Sequence, residues 1–103
     1  MAYADVVIVG AGMAGLSAAI WARRLGLSAV VLEQEVRPGG QLNLAGGRIF
    51  DYPGVDAPSG PAFTALLLRQ VQEAGAELRL GRAVQRIDGA RRTCLTADGP
   101  VTG

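Results

Sequence analysis

Residues 6–15 read Val6-Val7-Ile8-Val9-Gly10-Ala11-Gly12-Met13-Ala14-Gly15, and this stretch decides the fold. A β-branched apolar run from Tyr3 to Val9 suits a parallel strand buried on both faces. Three glycines follow it at the spacing G-x-G-x-x-G. From about Met13 to Leu25 the residues favour a helix, with Leu16, Ala19 and Ile20 at helical spacing, and Gly26 is placed to end it. Ser28 to Glu33 reads as a second buried strand that closes on an acid. The opening third of the chain is thus one strand-helix-strand unit.

A glycine string alone is weak, because chance matches are common in glycine-rich chains. Here it follows a strand, opens a helix and precedes an acid, Glu33, that ends the next strand. Each position has a physical task. Gly10 allows the tight turn off the strand. Gly12 lacks a Cβ, so a pyrophosphate can lie against the backbone. Gly15 lets the helix pack closely on the sheet. The N–H groups of Met13, Ala14 and Gly15, with the positive end of the helix, then hold the phosphates. Glu33 accepts hydrogen bonds from a ribose diol and repels a 2′-phosphate, which selects FAD or NAD over NADP. The competing reading is that the glycines only make a tight turn and Glu33 is a surface acid.

Composition removes other classes. The chain has 103 residues, half of them apolar, enough for one domain. Ten arginines face nine acids for a net charge of +1, without the strongly basic face of a nucleic-acid binder. One cysteine, Cys94, and no histidine exclude an internal disulfide, a Cys/His metal site and a Ser-His-Asp mechanism. Cys94 reads as a small buried hydrophobe or, with Arg91 and Arg92 nearby, as a thiol of lowered pKa. The apolar runs are far short of a membrane span, and the N-terminus lacks a signal-peptide pattern. The expected location is the cytoplasm.

Downstream, residues 34–60 are irregular and rich in glycine and proline, but Gln41, Leu42, Ile49, Phe50 and Tyr52 are too apolar for disorder. A loop that covers a ligand is expected there. Ser59 or Gly60 can cap a second helix with Pro61 in its first turn, and Phe63, Leu66, Leu67, Val71 and Ala74 form its apolar face up to Gly75. Ala76 to Leu80, Val84 to Ile87 and Arg92 to Ala97 read as strands, and Asp98-Gly99 as a hairpin turn. The returning arm, Val101 to Gly103, is short, so either the natural polypeptide is expected to continue or the tail is expected to be frayed. Trp21 reads as core packing, and Arg23-Arg24 as a solvated helix end. The expected fold is α/β: a Rossmann-like parallel sheet with a βαβ dinucleotide-binding unit, and a small antiparallel meander near the C-terminus.

In order along the chain, Gly10 to Gly15 with Leu16-Ser17-Ala18-Ala19-Ile20, then Glu33, Gly39-Gly40-Gln41-Leu42 and Asp51-Tyr52-Pro53-Gly54 resemble the N-terminal FAD domain of thioredoxin-reductase-like flavoproteins. That group includes thioredoxin reductases and the similar ferredoxin–NADP reductases. The resemblance implies that residues 1–103 are a single FAD-binding domain, the N-terminal part of a longer two-domain flavoprotein. It implies FAD as cofactor, NAD(P)H as co-substrate, thioredoxin or ferredoxin as electron acceptor, and a homodimer. It places Gly12, Met13 and Ala14 on the pyrophosphate, Glu33 on the ribose, and Gly40 and Gln41 along the pyrophosphate and ribityl chain. Asp51 would lie near the flavin, and the backbone of Val84 would face adenine. The sequence departs from the ferredoxin type after Gln41, where Asn43 to Gly47 offer no aromatic residue to stack on a flavin. No catalytic residue is assigned.

Overall fold

Ala29 to Leu32 are all buried, and the molecule is built around them. In the computed structural model, which describes residues 3–103, they form the middle strand β2 of a parallel sheet. The strand β1 (Val6–Val9) lies on one side, with Val6 opposite Ala29 and Val9 opposite Leu32. On the other side lies β3 (Glu77–Arg79), with Val30 opposite Glu77. Parallel neighbours require crossovers, which the helices α1 (Met13–Arg24) and α2 (Gly60–Ala74) supply.

Alternation along β2 sends its side chains into two cores. Val31 packs with Ala11, Leu16, Ala19 and Val71 beneath the helices. Val30 and Leu32 pack on the other face with Ala4, Cys94 and Val101. Burying each such Val or Leu contributes about 1.5–3 kcal/mol, so a strand apolar on both faces demands a cover on both. The second cover is an antiparallel sheet of β4 (Val84–Asp88), β5 (Thr93–Thr96) and β6 (Gly99–Thr102). The layers are therefore helices, parallel sheet and meander, as the expected fold class requires.

The last hairpin differs from its expected form. Thr96 pairs with Gly99, so the turn is Ala97-Asp98, one residue earlier than expected. Thr96 fixes it: its Oγ1 donates to the Gly99 carbonyl at 2.8 Å and accepts from the Asp98 N–H at 3.2 Å. The returning arm is fully paired, Val101 is buried, and the Ala4 N–H donates to the Thr102 carbonyl at 3.0 Å. Anchoring by the N-terminal segment and the core compensates for the arm's shortness.

Both helix ends follow local chemistry. Ser59 Oγ accepts from the Ala62 N–H at 3.2 Å, which makes Ser59 the cap of α2. After α1, Gly26 is left-handed with φ 80°, its N–H bonded to the Arg23 carbonyl and the Leu27 N–H to the Ala22 carbonyl. That is the Schellman pattern.

Several side-chain expectations are corrected. Trp21 is not in the core: it is 59% exposed, and the Arg24 guanidinium lies 5.3 Å from its ring centre. Arg23 is not merely solvated. Its Nε donates to the Ala74 carbonyl at 3.0 Å, tying α1 to the end of α2. Leu66 is exposed, because the inner face of α2 is turned toward Phe63, Thr64 and Val71. The third strand is only Glu77–Arg79. The expected loop at 34–60 contains a short 3-10 helix, Gly40–Leu44, and a closed β-bridge between Ile49 and Ala57. Arg48 grips both carboxylate oxygens of Asp56 at 2.7 Å beside that bridge, and this hydrogen bonding holds the Asp56 carboxyl below the usual range. No helix among the described residues is long and apolar enough to cross a membrane.

Candidate cofactor site

The end of β1 and the start of α1 meet at Gly10, whose φ of 100° turns the chain off the strand while its N–H donates to the Leu32 carbonyl at 2.8 Å. Gly12 is the residue preceding the helix. Its backbone is ordinary at φ −78°, and a Cβ built there would point into open space. Gly15 is the opposite case. A Cβ there would collide with the Gly10 carbonyl oxygen and crowd Ile8. The three glycines thus divide into a turn, an open face and a packing contact.

No side chain caps α1, and no acid lies in its first turn. The first N–H groups of a helix have no partner inside it, so the N–H groups of Met13, Ala14 and Gly15 and the positive helix end offer an anion a ready seat.

Gly39 and Gly40 close over this seat from the other side. The Gly39 N–H donates to the Ala11 carbonyl at 2.6 Å. The Gly39 N–H is thus occupied in joining the two loops. Gly40 has φ 54°, and a Cβ on it would lie 3.5 Å from the Gly12 Cα. The two loops therefore pass in direct contact, one small residue against another.

A cleft of about 570 Å³ opens here, lined by Gly12, Met13, Ala14, Gly39, Gln41, Leu42 and Ala45. A second, of about 270 Å³, is lined by Gly10, Glu33, Arg82 and Val84, with Val9, Leu32 and Gln34. The site residues expected from sequence fall on these two clefts, with qualifications. Gly15 acts behind the wall rather than in it. Gly40 reaches the site through its approach to Gly12. Asp51 lies in an exposed turn and lines neither cleft.

Glu33 is buried at 7% exposure and is already engaged. One carboxylate oxygen accepts the Ala11 N–H at 2.9 Å, and the other accepts the Glu35 N–H at 2.8 Å. It is therefore no surface acid. Each carboxylate oxygen carries two lone-pair directions, so a second acceptor position remains on both for a diol. Arg82 was not marked by any sequence signal. Its backbone N–H donates to the Glu33 carbonyl at 2.7 Å, and its guanidinium is 3.1 Å from Asp98 at the hairpin. Only the meander's approach to β2 brings it there. Cys94 stands apart in the core, where burial pushes its thiol pKa up, against a redox reading.

The residues fit a dinucleotide: bare N–H groups for a pyrophosphate, a braced carboxylate for a ribose, and a cleft on either side. A family profile described as "FAD binding domain" matches residues 5–60. The chain is 38% identical over 94 residues to a thioredoxin reductase of Listeria innocua, covering 90% of this chain and 28% of that protein. It is 42% identical over 86 residues to a ferredoxin–NADP reductase of Lactococcus lactis, covering 82% of this chain and 27% of that one. The structure of a thioredoxin reductase from T. acidophilum superposes with a TM-score of 0.90 at 30% identity, over 100% of this chain and 34% of that one. The chain belongs to the FAD-binding domain family, and it is similar to thioredoxin reductases and ferredoxin–NADP reductases. It spans little more than a quarter of the length of the two relatives matched by sequence.

Proposed function

We propose that this chain is the FAD-binding domain, residues 1–103, of a longer two-domain flavoprotein that oxidises NAD(P)H and passes the electrons to a thioredoxin, a ferredoxin or a small acceptor. The observation that carries the FAD site is the open face of Gly12 before an uncapped helix, flanked by Gly40 and by the buried carboxylate of Glu33. In this reading the N–H groups of Met13, Ala14 and Gly15 hold the pyrophosphate, and Gly40 and Gln41 border the ribityl side. Glu33 takes the ribose, and the backbone of Val84 faces adenine. The assignment of Asp51 to the flavin rests on the resemblance alone. A homodimer and a cytoplasmic location belong to the same reading.

FAD supplies the redox chemistry, and the chain supplies binding and orientation. Among the described residues, Glu33 and Arg82 are the only ionisable side chains lining the two clefts. That favours a narrower second reading, in which these residues alone form a non-catalytic dinucleotide-binding module. Titration with FAD, FMN and NADP+, followed by flavin fluorescence and Tm, tests the site. FAD alone should bind and stabilise. No response to FAD at millimolar concentration would refute the reading. NAD(P)H oxidation with an artificial acceptor then separates the enzyme from the module.

A further inference from the structure

Thr64 stands one turn into α2, is 6% exposed, and bonds its hydroxyl outside its own helix. A buried threonine in a helix ordinarily satisfies its hydroxyl on the carbonyl one turn back. Thr64 Oγ1 instead donates to Asn43 Oδ1 at 2.9 Å, and Asn43 Nδ2 donates to the Pro38 carbonyl at 2.8 Å. The two side chains close over Gly39. A Cβ on Gly39 would lie 2.6 Å from both terminal atoms of Asn43 and 2.7 Å from Thr64 Oγ1. Gly39 in turn is bonded to Ala11, and Gly40 abuts Gly12. A second link joins the same parts, since the Gly60 N–H at the start of α2 donates to the Ala45 carbonyl at 2.7 Å.

We propose that Asn43 and Thr64 are positioning residues that set the Gly39–Leu42 wall of the larger cleft at its distance from the glycine loop. They thereby tune the site for the flavin half of FAD. The inference rests on the FAD reading above and deepens it. The geometry has a direction. α2 is held by its packing on α1 and the sheet, through Val71 and its partners. Threonine transmits that fixed position to asparagine, and asparagine to the turn at Pro38-Gly39. Neither side chain lines the larger cleft, so both act through Gly39, Gly40 and Gln41. The smaller cleft, with Glu33 and Val84, contains no part of this chain of bonds.

That asymmetry supplies the test. ADP carries the adenosine and both phosphates but no ribityl chain or flavin, so it reports on the glycine loop and Glu33. Dissociation constants for FAD and for ADP would be measured on the unsubstituted chain and on Thr64→Val, Thr64→Ser and Asn43→Ala. Losing one hydrogen bond of this relay in Thr64→Val, or two in Asn43→Ala, should weaken FAD about tenfold, leaving ADP within about twofold. Thr64→Ser, which keeps the hydroxyl, should restore FAD affinity. A parallel loss for both ligands, or unchanged FAD affinity in either variant, would overturn the proposal. If Thr64→Val does not fold, Asn43→Ala and Thr64→Ser still decide it. ADP binding with no FAD binding by the unsubstituted chain would sink the FAD reading itself, and this inference with it.

Discussion

The carboxylate of Glu33 accepts the backbone N–H of Ala11 at 2.9 Å, joining the end of β2 to the middle of the glycine loop. The acid thus braces the loop that it flanks. Glu33 also lines the smaller cleft, and the Glu35 N–H on the other oxygen completes the brace. One side chain therefore links the loop that would hold phosphates with the wall that would hold a sugar.

Replacing Glu33 by glutamine should expose this double duty. The amide must point its NH2 at either the Ala11 or the Glu35 N–H, leaving a buried donor facing a donor. The expected cost is about 1–3 kcal/mol of stability, measured by urea unfolding, together with weaker FAD binding. A variant as stable as the parent would show that the brace carries no weight.

Gly12 and Gly15 should separate binding from folding. Gly12→Ala places its methyl in open space, so Tm should change little, while FAD affinity drops at least about tenfold because the methyl occupies phosphate space. Gly15→Ala drives a methyl into the Gly10 carbonyl and should destabilise the apo protein by about 1–3 kcal/mol. Equal effects of the two substitutions on Tm would contradict the division of labour.

Arg23 ties the two helices through the Ala74 carbonyl and also reaches the Leu27 carbonyl at 3.2 Å. Arg23→Met keeps the aliphatic stem and removes the bonds. A loss of about 1 kcal/mol is expected in chemical denaturation, whereas Arg24→Met, which gives up only an exposed contact with Trp21, should be nearly neutral.

Burial raises the pKa of Cys94 in the folded state. An acid held protonated by folding binds more protons folded than unfolded. Its stabilising contribution is complete below the ordinary thiol value of about 8.5 and is lost as pH rises from there through the raised folded value. At pH 8 the native thiol should react slowly with a disulfide reagent and the urea-unfolded chain quickly. Similar rates in both states would refute the buried assignment.

The order of elements, the glycine fingerprint and the acid after β2 were legible in the sequence because each depends on neighbours within a few residues. Strand periodicity, helix spacing, the Ser59 cap and the need for bare backbone at Gly12 are local facts. So was the double-sided burial of Ala29–Leu32, since an unbroken apolar strand admits only one environment. The position of Trp21 and the bonds of Arg23, Asn43, Thr64 and Arg82 were not legible. A helix face can rotate by one residue without changing its pattern, which is how Thr64 came inside and Leu66 outside. A polar side chain's partner is set by which distant carbonyl or amide tertiary packing delivers to it. The chain's own spacing therefore determined that a bare glycine loop would lead into an uncapped helix, and the stacking of three layers decided which residues brace it.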